Sequence, residues 1–157
     1  MTVAALSAEN PYSSEAKDFY QPIKSNLLKA AQKMPESEYS FKPEGEGRTF
    51  GQLIAHAADA QVGICGIAKG EPKRGDAASK TTKADLIAAL KASNDFCDAV
   101  YATMTDEAGT ALVKTPFGDK SKLGVLNFNI AHDNETYGTI AVYLRLKGIV
   151  PPSSESK

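Results

Sequence analysis

The stretch NIAHDNETYGTIAVYLRL, residues 129–146, is the most informative part of the sequence, because it places polar side chains within the apolar stripe of a long helix. At 100° per residue, one line down this helix has apolar residues at its ends and three polar residues between them: Val125, Asn129, His132, Thr136, Ile140 and Tyr143. Because its ends are apolar, we expect the line to face the protein interior. It also puts Thr136 four residues after His132, where a second metal ligand would share the same face.

Three further segments of the 157-residue chain have helical periodicity, and no segment of comparable length alternates like a strand. The four helices are predicted over residues 14–34, 49–69, 82–104 and 121–147. Thr49 and Thr82 are placed to cap the second and third helices. Between the third and fourth, the sequence ALVKTPFGD predicts a small hairpin.

Four apolar-striped helices of this length most simply pack as a four-helix bundle, so the fold class is all-α. We expect one domain over residues 1–157, with residues 1–12 and 152–157 flexible. The linker between the second and third helices, about 13 residues, can reach roughly 40 Å. That reach allows two sequential helices to be parallel, although linker length alone does not fix the topology.

The composition is that of an ordinary globular protein, with 42% hydrophobic residues, 24% charged residues and a net charge of −1. It contains no basic patch for nucleic acid and no apolar run long enough to span a membrane. The N-terminal AALSA has the small residues of a signal-peptidase site but no basic segment before it. The compartment therefore stays open: cytoplasmic, or exported if a signal peptide has been removed.

The two cysteines, Cys65 and Cys97, both fall within helical patterns. This placement favours buried free thiols that pack as small hydrophobes, and a bridge between them stays open.

The two histidines, His56 and His132, both lie in the middle of predicted helices. Each could be a core histidine with satisfied hydrogen bonds, or the two could belong to a metal site between facing helices. Zinc normally takes three or four protein ligands, so two imidazoles leave such a site one ligand short.

Two long stretches carry a resemblance that covers nearly the whole chain: NLLKAAQKMPESEYSFKPEGEGRTFGQLIAHAADA, residues 26–60, and KLGVLNFNIAHDNETYGTIAVYLRLKGIVPPSS, residues 122–154. The sequence resembles the DinB/YfiT-like family of bacterial four-helix bundles. The resemblance implies an up-down-down-up bundle. It also implies a histidine triad for a divalent metal, often nickel or zinc, with one histidine on the second helix and an HxxxH pair on the fourth.

Transferred residue by residue, the triad falls on His56, His132 and Thr136, so the third ligand is replaced. A threonine hydroxyl is a poor ligand for zinc or nickel, although it could orient a metal-bound water. Asp59 and Glu135 are the possible substitutes, and helical geometry points both away from the site. We therefore expect a degenerate site at which nickel or zinc binds weakly or not at all.

Two neighbouring polar residues complete the predicted site. Asp133 is either a partner that sets the tautomer of His132 or a solvated charge. Asn129 lies one turn before the histidine, and we assign it with Asp133 and Thr136 to the same pocket.

These residues favour a non-catalytic scaffold that binds a small molecule or forms a dimer. The alternative is a divalent-metal-dependent enzyme of the thiol-transferase or hydrolase type, which would use the two histidines as ligands. We expect neither nucleic acid nor membrane as a partner, and we expect a homodimer. Phe128, Val142 and Leu146 could form its interface or belong to the core.

Overall fold

The structure is a computed structural model that describes residues 10–155. Four long helices form a bundle in which the second and third run parallel, and a short helix and a hairpin connect the last two. In chain order the elements are α1 (Pro11–Lys33), α2 (Phe50–Lys69), α3 (Lys83–Thr103), α4 (Asp106–Gly109), β1 (Leu112–Thr115), β2 (Gly118–Ser121) and α5 (Lys122–Leu146). The all-α class is confirmed. So is the small hairpin, in which Leu112 pairs with Ser121 and Thr115 with Gly118.

Side-chain caps fix where three of the long helices begin. The Thr49 hydroxyl accepts from the backbone N–H of Gln52, whose side chain accepts from the Thr49 N–H in return. This reciprocal capping box satisfies two N–H groups that the first turn would otherwise leave unpaired. At the starts of α3 and α5, the hydroxyls of Thr82 and Ser121 each accept from a backbone N–H three residues on, without the reciprocal bond. The caps predicted at Thr49 and Thr82 are therefore confirmed.

Contacts between named residues give the direction of each helix. Cys65 meets Cys97 while Gly51 lies against Leu86, so α2 and α3 run parallel. Ser13, near the start of α1, donates to Asp106 just beyond the end of α3, whereas Lys83 at the start of α3 donates to Met34 just beyond the end of α1. α1 and α3 are therefore antiparallel. α5 is antiparallel to α2, because its residue His132 contacts His56 while Tyr143, farther along α5, donates to the Arg48 carbonyl just before α2. The order is therefore up-down-down-up.

The crossover between the parallel helices runs along the side of α2. Its middle is a 3-10 turn, Ala77–Ser79, that is held by Asp59. The Asp59 carboxylate accepts from the backbone N–H groups of Ala77 at 2.8 Å and Ala78 at 3.0 Å. Gly75 packs so closely on Asp59 that an added Cβ would lie 2.1 Å from its Oδ1. The crossover is therefore fixed at its middle by a residue of the helix that it follows.

The core has two apolar parts, one toward each end of the bundle. One is built around Phe50, Leu90 and Leu144, and the other around Leu126 and the cysteines. All of these side chains are fully buried. Burial of one such leucine or phenylalanine is worth roughly 1.5–3 kcal/mol, so these layers supply most of the drive for packing.

The two cysteines form a disulfide between the parallel helices, with Cα atoms 5.5 Å apart. This corrects the expectation that free thiols are favoured. The sequence places both residues on buried helix faces, but only the parallel pairing of α2 and α3 brings those faces together at the same height.

The chain after α5 returns to the bundle. Pro152–Ser154, in a segment expected to be flexible, instead form a 3-10 turn. The Ser153 N–H donates to the Tyr137 hydroxyl at 2.9 Å, and the Arg145 guanidinium donates to Ser154 Oγ. At the other end α1 already begins at Pro11, while residues 1–9 and 156–157 lie outside the described part of the chain.

Among residues 10–155, no helix has both the length and the apolar character of a membrane span.

Candidate functional site

The two histidines predicted as metal ligands face each other across the contact between α2 and α5. Nε2 of His56 lies 3.0 Å from Nε2 of His132, within hydrogen-bond distance, and the ring centroids are 4.8 Å apart. One imidazole must therefore donate through a protonated Nε2 while the other accepts through an unprotonated one. The same pairing shows that the two helices are antiparallel, since Tyr143 later on α5 donates to the Arg48 carbonyl just before α2.

His56 is held toward its neutral form. Its pKa is lowered below the ordinary value, first by burial, then by the positive charge of Arg48 and by His132. Asp59 and Glu135 act in the opposite direction and do not overcome these effects. A neutral imidazole can serve as the hydrogen-bond partner that the 3.0 Å separation requires.

The separation of the two nitrogens does not by itself distinguish a hydrogen bond from a shared metal. Zinc binds imidazole nitrogen at about 2.0–2.1 Å, which puts two tetrahedral ligands roughly 3.3 Å apart. The decisive feature is the third donor. At that position the chain has Thr136, which is buried one turn after His132 on α5.

Neither predicted substitute supplies the missing ligand. Both carboxylate oxygens of Asp59 accept hydrogen bonds from the crossover, and Glu135 is exposed on the outer side of α5. Within residues 10–155, no three His, Cys, Asp or Glu side chains are grouped so that they could hold a metal ion. The residues present therefore do not fit a three-ligand metal site.

Asp133 is fully buried, so it is not a solvated charge. Its Oδ2 accepts from Asn129 Nδ2 at 3.2 Å, while its Oδ1 lies 4.0 Å from Nδ1 of His132. The latter distance is too long for a hydrogen bond, and neither atom has another partner among the described residues. Burial raises the pKa of Asp133 to about 6.

Behind the histidines, polar side chains from all four long helices meet in the core. The Tyr20 hydroxyl donates to Gln61 Oε1 at 2.8 Å, and the Tyr101 hydroxyl donates to the Leu126 carbonyl at 2.8 Å. The two tyrosine rings stack at 4.4 Å, and Asn129 Nδ2 lies 3.5 Å from the Tyr101 hydroxyl. Burial raises the pKa of both tyrosines, so both stay protonated as donors.

Sequence reasoning identified Asn129 and Asp133 but missed the tyrosines and Gln61 as their companions. The available signal was Gln61 itself, a glutamine inside the apolar stripe of α2. A buried amide requires hydrogen-bond partners, so its position predicts polar groups on the facing helices.

Two cavities lie near the histidine pair, one lined by His56 and one beginning a turn away from each histidine. A polar cavity of about 360 Å³ is lined by His56, Arg48, Asp59 and Lys80. A second, apolar cavity of about 430 Å³ lies between α2, the hairpin and the first turns of α5. The ring of Phe128, in its wall, lies 6.2 Å from the ring of His132. His56 thus lines the polar cavity, whereas the apolar cavity approaches the pair only through Phe128.

A sequence model of the DinB superfamily matches residues 23–140. A DinB-like protein from Bacillus cereus has a similar structure at 19% identity, with a TM-score of 0.71 over 85% of this chain and 93% of that one. The DinB-like protein YjoA from Bacillus subtilis has 16% identity and a TM-score of 0.74, over 91% of this chain and 99% of its own.

A mycothiol-dependent maleylpyruvate isomerase also has a similar structure, at 15% identity and a TM-score of 0.70. The match covers 82% of this chain and 60% of the isomerase. No curated protein matches this sequence. At these identities the solved structures show a shared fold and leave activity open.

Proposed function

We propose that this chain, which belongs to the DinB superfamily, is a non-catalytic bundle that binds a small molecule beside a histidine pair without a resident metal. Two observations carry the proposal. His56 and His132 contact each other directly, and Thr136 occupies the position of the third ligand. Each histidine can satisfy the other at Nε2, so neither of these two nitrogens requires a metal as its partner.

The surroundings of the pair support binding of a ligand. Cavities of 300–1,000 Å³ are typical of small-molecule sites, and the two near the histidines measure about 360 and 430 Å³. Arg48 and Lys80 place positive charge on one side, and aromatic rings line the other. A ligand in the polar cavity would meet His56, whose pKa is lowered by burial, as a neutral hydrogen-bonding partner.

The alternative is a metal-dependent enzyme in which the two histidines hold nickel or zinc and Thr136 orients a bound water. The convergence of both Nε2 atoms on one point favours it. It requires tight metal binding by two protein ligands, which is fewer than the three of typical catalytic zinc sites.

We also propose a homodimer. Phe128, Val142 and Leu146 lie on one line of α5, with exposed fractions of 47%, 50% and 58%. They are therefore surface residues and not the core that the sequence left open. An apolar line of this kind on one helix could pair with the same line of a second copy.

The metal content of the wild type and of a Thr136→His variant tests the proposal. Both proteins are made without an affinity tag, exposed to nickel or zinc, desalted and analysed for bound metal. We expect an empty wild type and about one metal per chain in the variant, because the new imidazole supplies the third ligand.

Thr103→His adds an imidazole at an exposed position on α3 and serves as the matched control. It should stay as empty as the wild type. One equivalent of metal in the wild type, removed by His56→Ala, would contradict the proposal and establish the enzyme alternative as the one to pursue.

A further inference from the structure

The apolar cavity beside the histidines is built by three elements that leave room between them. Its wall on α2 contains the small residues Ala60 and Gly63, and its wall on α5 begins with Gly124. The tip of the hairpin closes the third side with Pro116 and Phe117. A Cβ added at Gly63 would meet only the Lys73 carbonyl, at 3.9 Å, so the space is not occupied by a neighbouring side chain.

The lining of this cavity is apolar apart from one charge and one hydroxyl. Isoleucine, valine and phenylalanine side chains supply most of its surface. Lys120, on β2, is the single charged residue in the wall, and it makes no ion pair within the described part of the chain. No carboxylate lines the cavity. Such a wall favours a ligand with an apolar body and one anionic group, and disfavours a cation.

A row of aromatic rings connects the mouth of the cavity to the histidines. The Phe117 ring, 71% exposed at the hairpin turn, lies 5.9 Å from the Phe128 ring. The Phe128 ring lies 6.2 Å from the His132 ring, which in turn contacts His56. A molecule in the cavity would therefore contact Phe128, whose ring neighbours His132, and would have its outer end under the solvent-exposed Phe117.

We propose that this cavity binds a small amphipathic monoanion, with its apolar body between α2 and the hairpin and its anionic group near Lys120. The inference rests on the proposed function and names the ligand class for that site. Exposed aromatic rings contribute contact area when an apolar ligand covers them, which gives Phe117 a role in binding.

Binding of 8-anilinonaphthalene-1-sulfonate, measured by fluorescence in the presence of a chelator, tests this assignment. The chain contains no tryptophan, so indole emission does not interfere. We expect the wild type to bind the probe and Ala60→Leu and Gly63→Leu to weaken it about tenfold or more, because each leucine fills apolar contact space. Gly138→Leu adds the same side chain at an open position on α5 and should leave binding unchanged.

A second pair of variants does not depend on the packing of α2. Phe117→Ala removes a ring from the cavity mouth, whereas Leu112→Ala removes an equally exposed side chain, 70% accessible, outside the cavity. Only Phe117→Ala should weaken binding of the probe. Lys120→Gln should weaken it about fivefold or less, the range of an exposed charge interaction.

Competition identifies the charge preference. Decanoate should displace the probe at lower concentration than decylammonium. Equal displacement by both, wild-type affinity in the two filled variants, or affinity that follows dimer formation would each overturn the assignment. Bound nickel in the wild type would contradict the proposed metal-free site and leave these results untouched, so the two failures are distinguishable.

Discussion

Nε2 of His56 and Nε2 of His132 lie 3.0 Å apart on two helices that are separated in sequence by the whole of α3 and the hairpin. The contact therefore reports the tertiary packing of α2 on α5. It also demands that at least one of the two imidazoles be neutral, because two protonated rings have no acceptor to offer at this distance.

The first prediction concerns the coupling of this pair. A double-mutant cycle of His56→Gln and His132→Gln, followed by urea unfolding at pH 8, should give a coupling free energy of about 1 kcal/mol. The lowered pKa of His56 means that the folded protein binds fewer protons there than the unfolded chain. Its contribution to stability is thus present above pH 6.5 and lost as the pH falls through the folded-state pKa.

The same cycle at pH 5 should therefore show a smaller coupling than at pH 8. His56→Gln should also flatten the fall in the free energy of unfolding below pH 6.5. A coupling of zero at both pH values would show that the two rings do not interact in solution.

The second prediction concerns Asp133. Burial raises its pKa from 3.8 to about 6, so the folded state favours the protonated acid. The stability that this supplies is complete below pH 3.8 and lost as the pH rises through about 6. The free energy of unfolding of Asp133→Asn, relative to that of the wild type, should therefore rise by about 2–3 kcal/mol between pH 4 and pH 7. Urea unfolding in the presence of a chelator measures this difference.

Asp18→Asn, at an exposed position on α1, is the control, and its free energy of unfolding should depend on pH as that of the wild type does. Parallel curves for Asp133→Asn and the wild type would mean that the buried carboxyl has an ordinary pKa.

Much of the fold follows from sequence because local signals and tertiary packing agree. The Thr49 cap and the stripe on α5 are local features, and both predict their structures correctly. The disulfide is different: Cys65 and Cys97 give no local sign of pairing, since their approach depends on α2 and α3 being parallel. The docking of Ser153 on Tyr137 is likewise a contact that helical periodicity does not encode.

The candidate site shows the same division. Positions of the histidines and of Thr136 within helical lines are local, so sequence predicts that they share an interior face. That both carboxylate oxygens of Asp59 bind the crossover is a long-range fact, and it removes a ligand that sequence had left available. The polar core around Gln61 escaped because its partners come from three other helices.

The third prediction tests the proposed dimer. Val142→Glu together with Leu146→Glu places charge on the exposed apolar line of α5 and should yield a monomer, measured by light scattering after size-exclusion chromatography. The matched control, Lys17→Glu with Asp18→Lys on α1, should leave the mass unchanged because it alters an exposed face elsewhere. A dimer that survives the α5 variant would place its interface on another surface.

The fourth prediction concerns the disulfide. It closes a loop across a sequence separation of 32 residues, and loop closure of that length reduces the entropy of the unfolded chain by an amount worth about 3–4 kcal/mol. Reduction with dithiothreitol should lower the free energy of unfolding by up to that amount.

A variant with Cys65→Ala and Cys97→Ala should be destabilised to a similar extent and should no longer respond to dithiothreitol. Alanine is the appropriate replacement because both sulfurs are fully buried, and a serine hydroxyl there would add an unpaired polar group to the cost. The bond would be shown not to form if dithiothreitol leaves the urea midpoint of the wild type unchanged and two free thiols are counted on the denatured chain.

Since the bond links α2 and α3 one turn beyond Gln61, its loss should also loosen the polar core behind the histidines. Faster hydrogen exchange of the α2 amides near Gln61, measured in the reduced protein, would report that loosening directly.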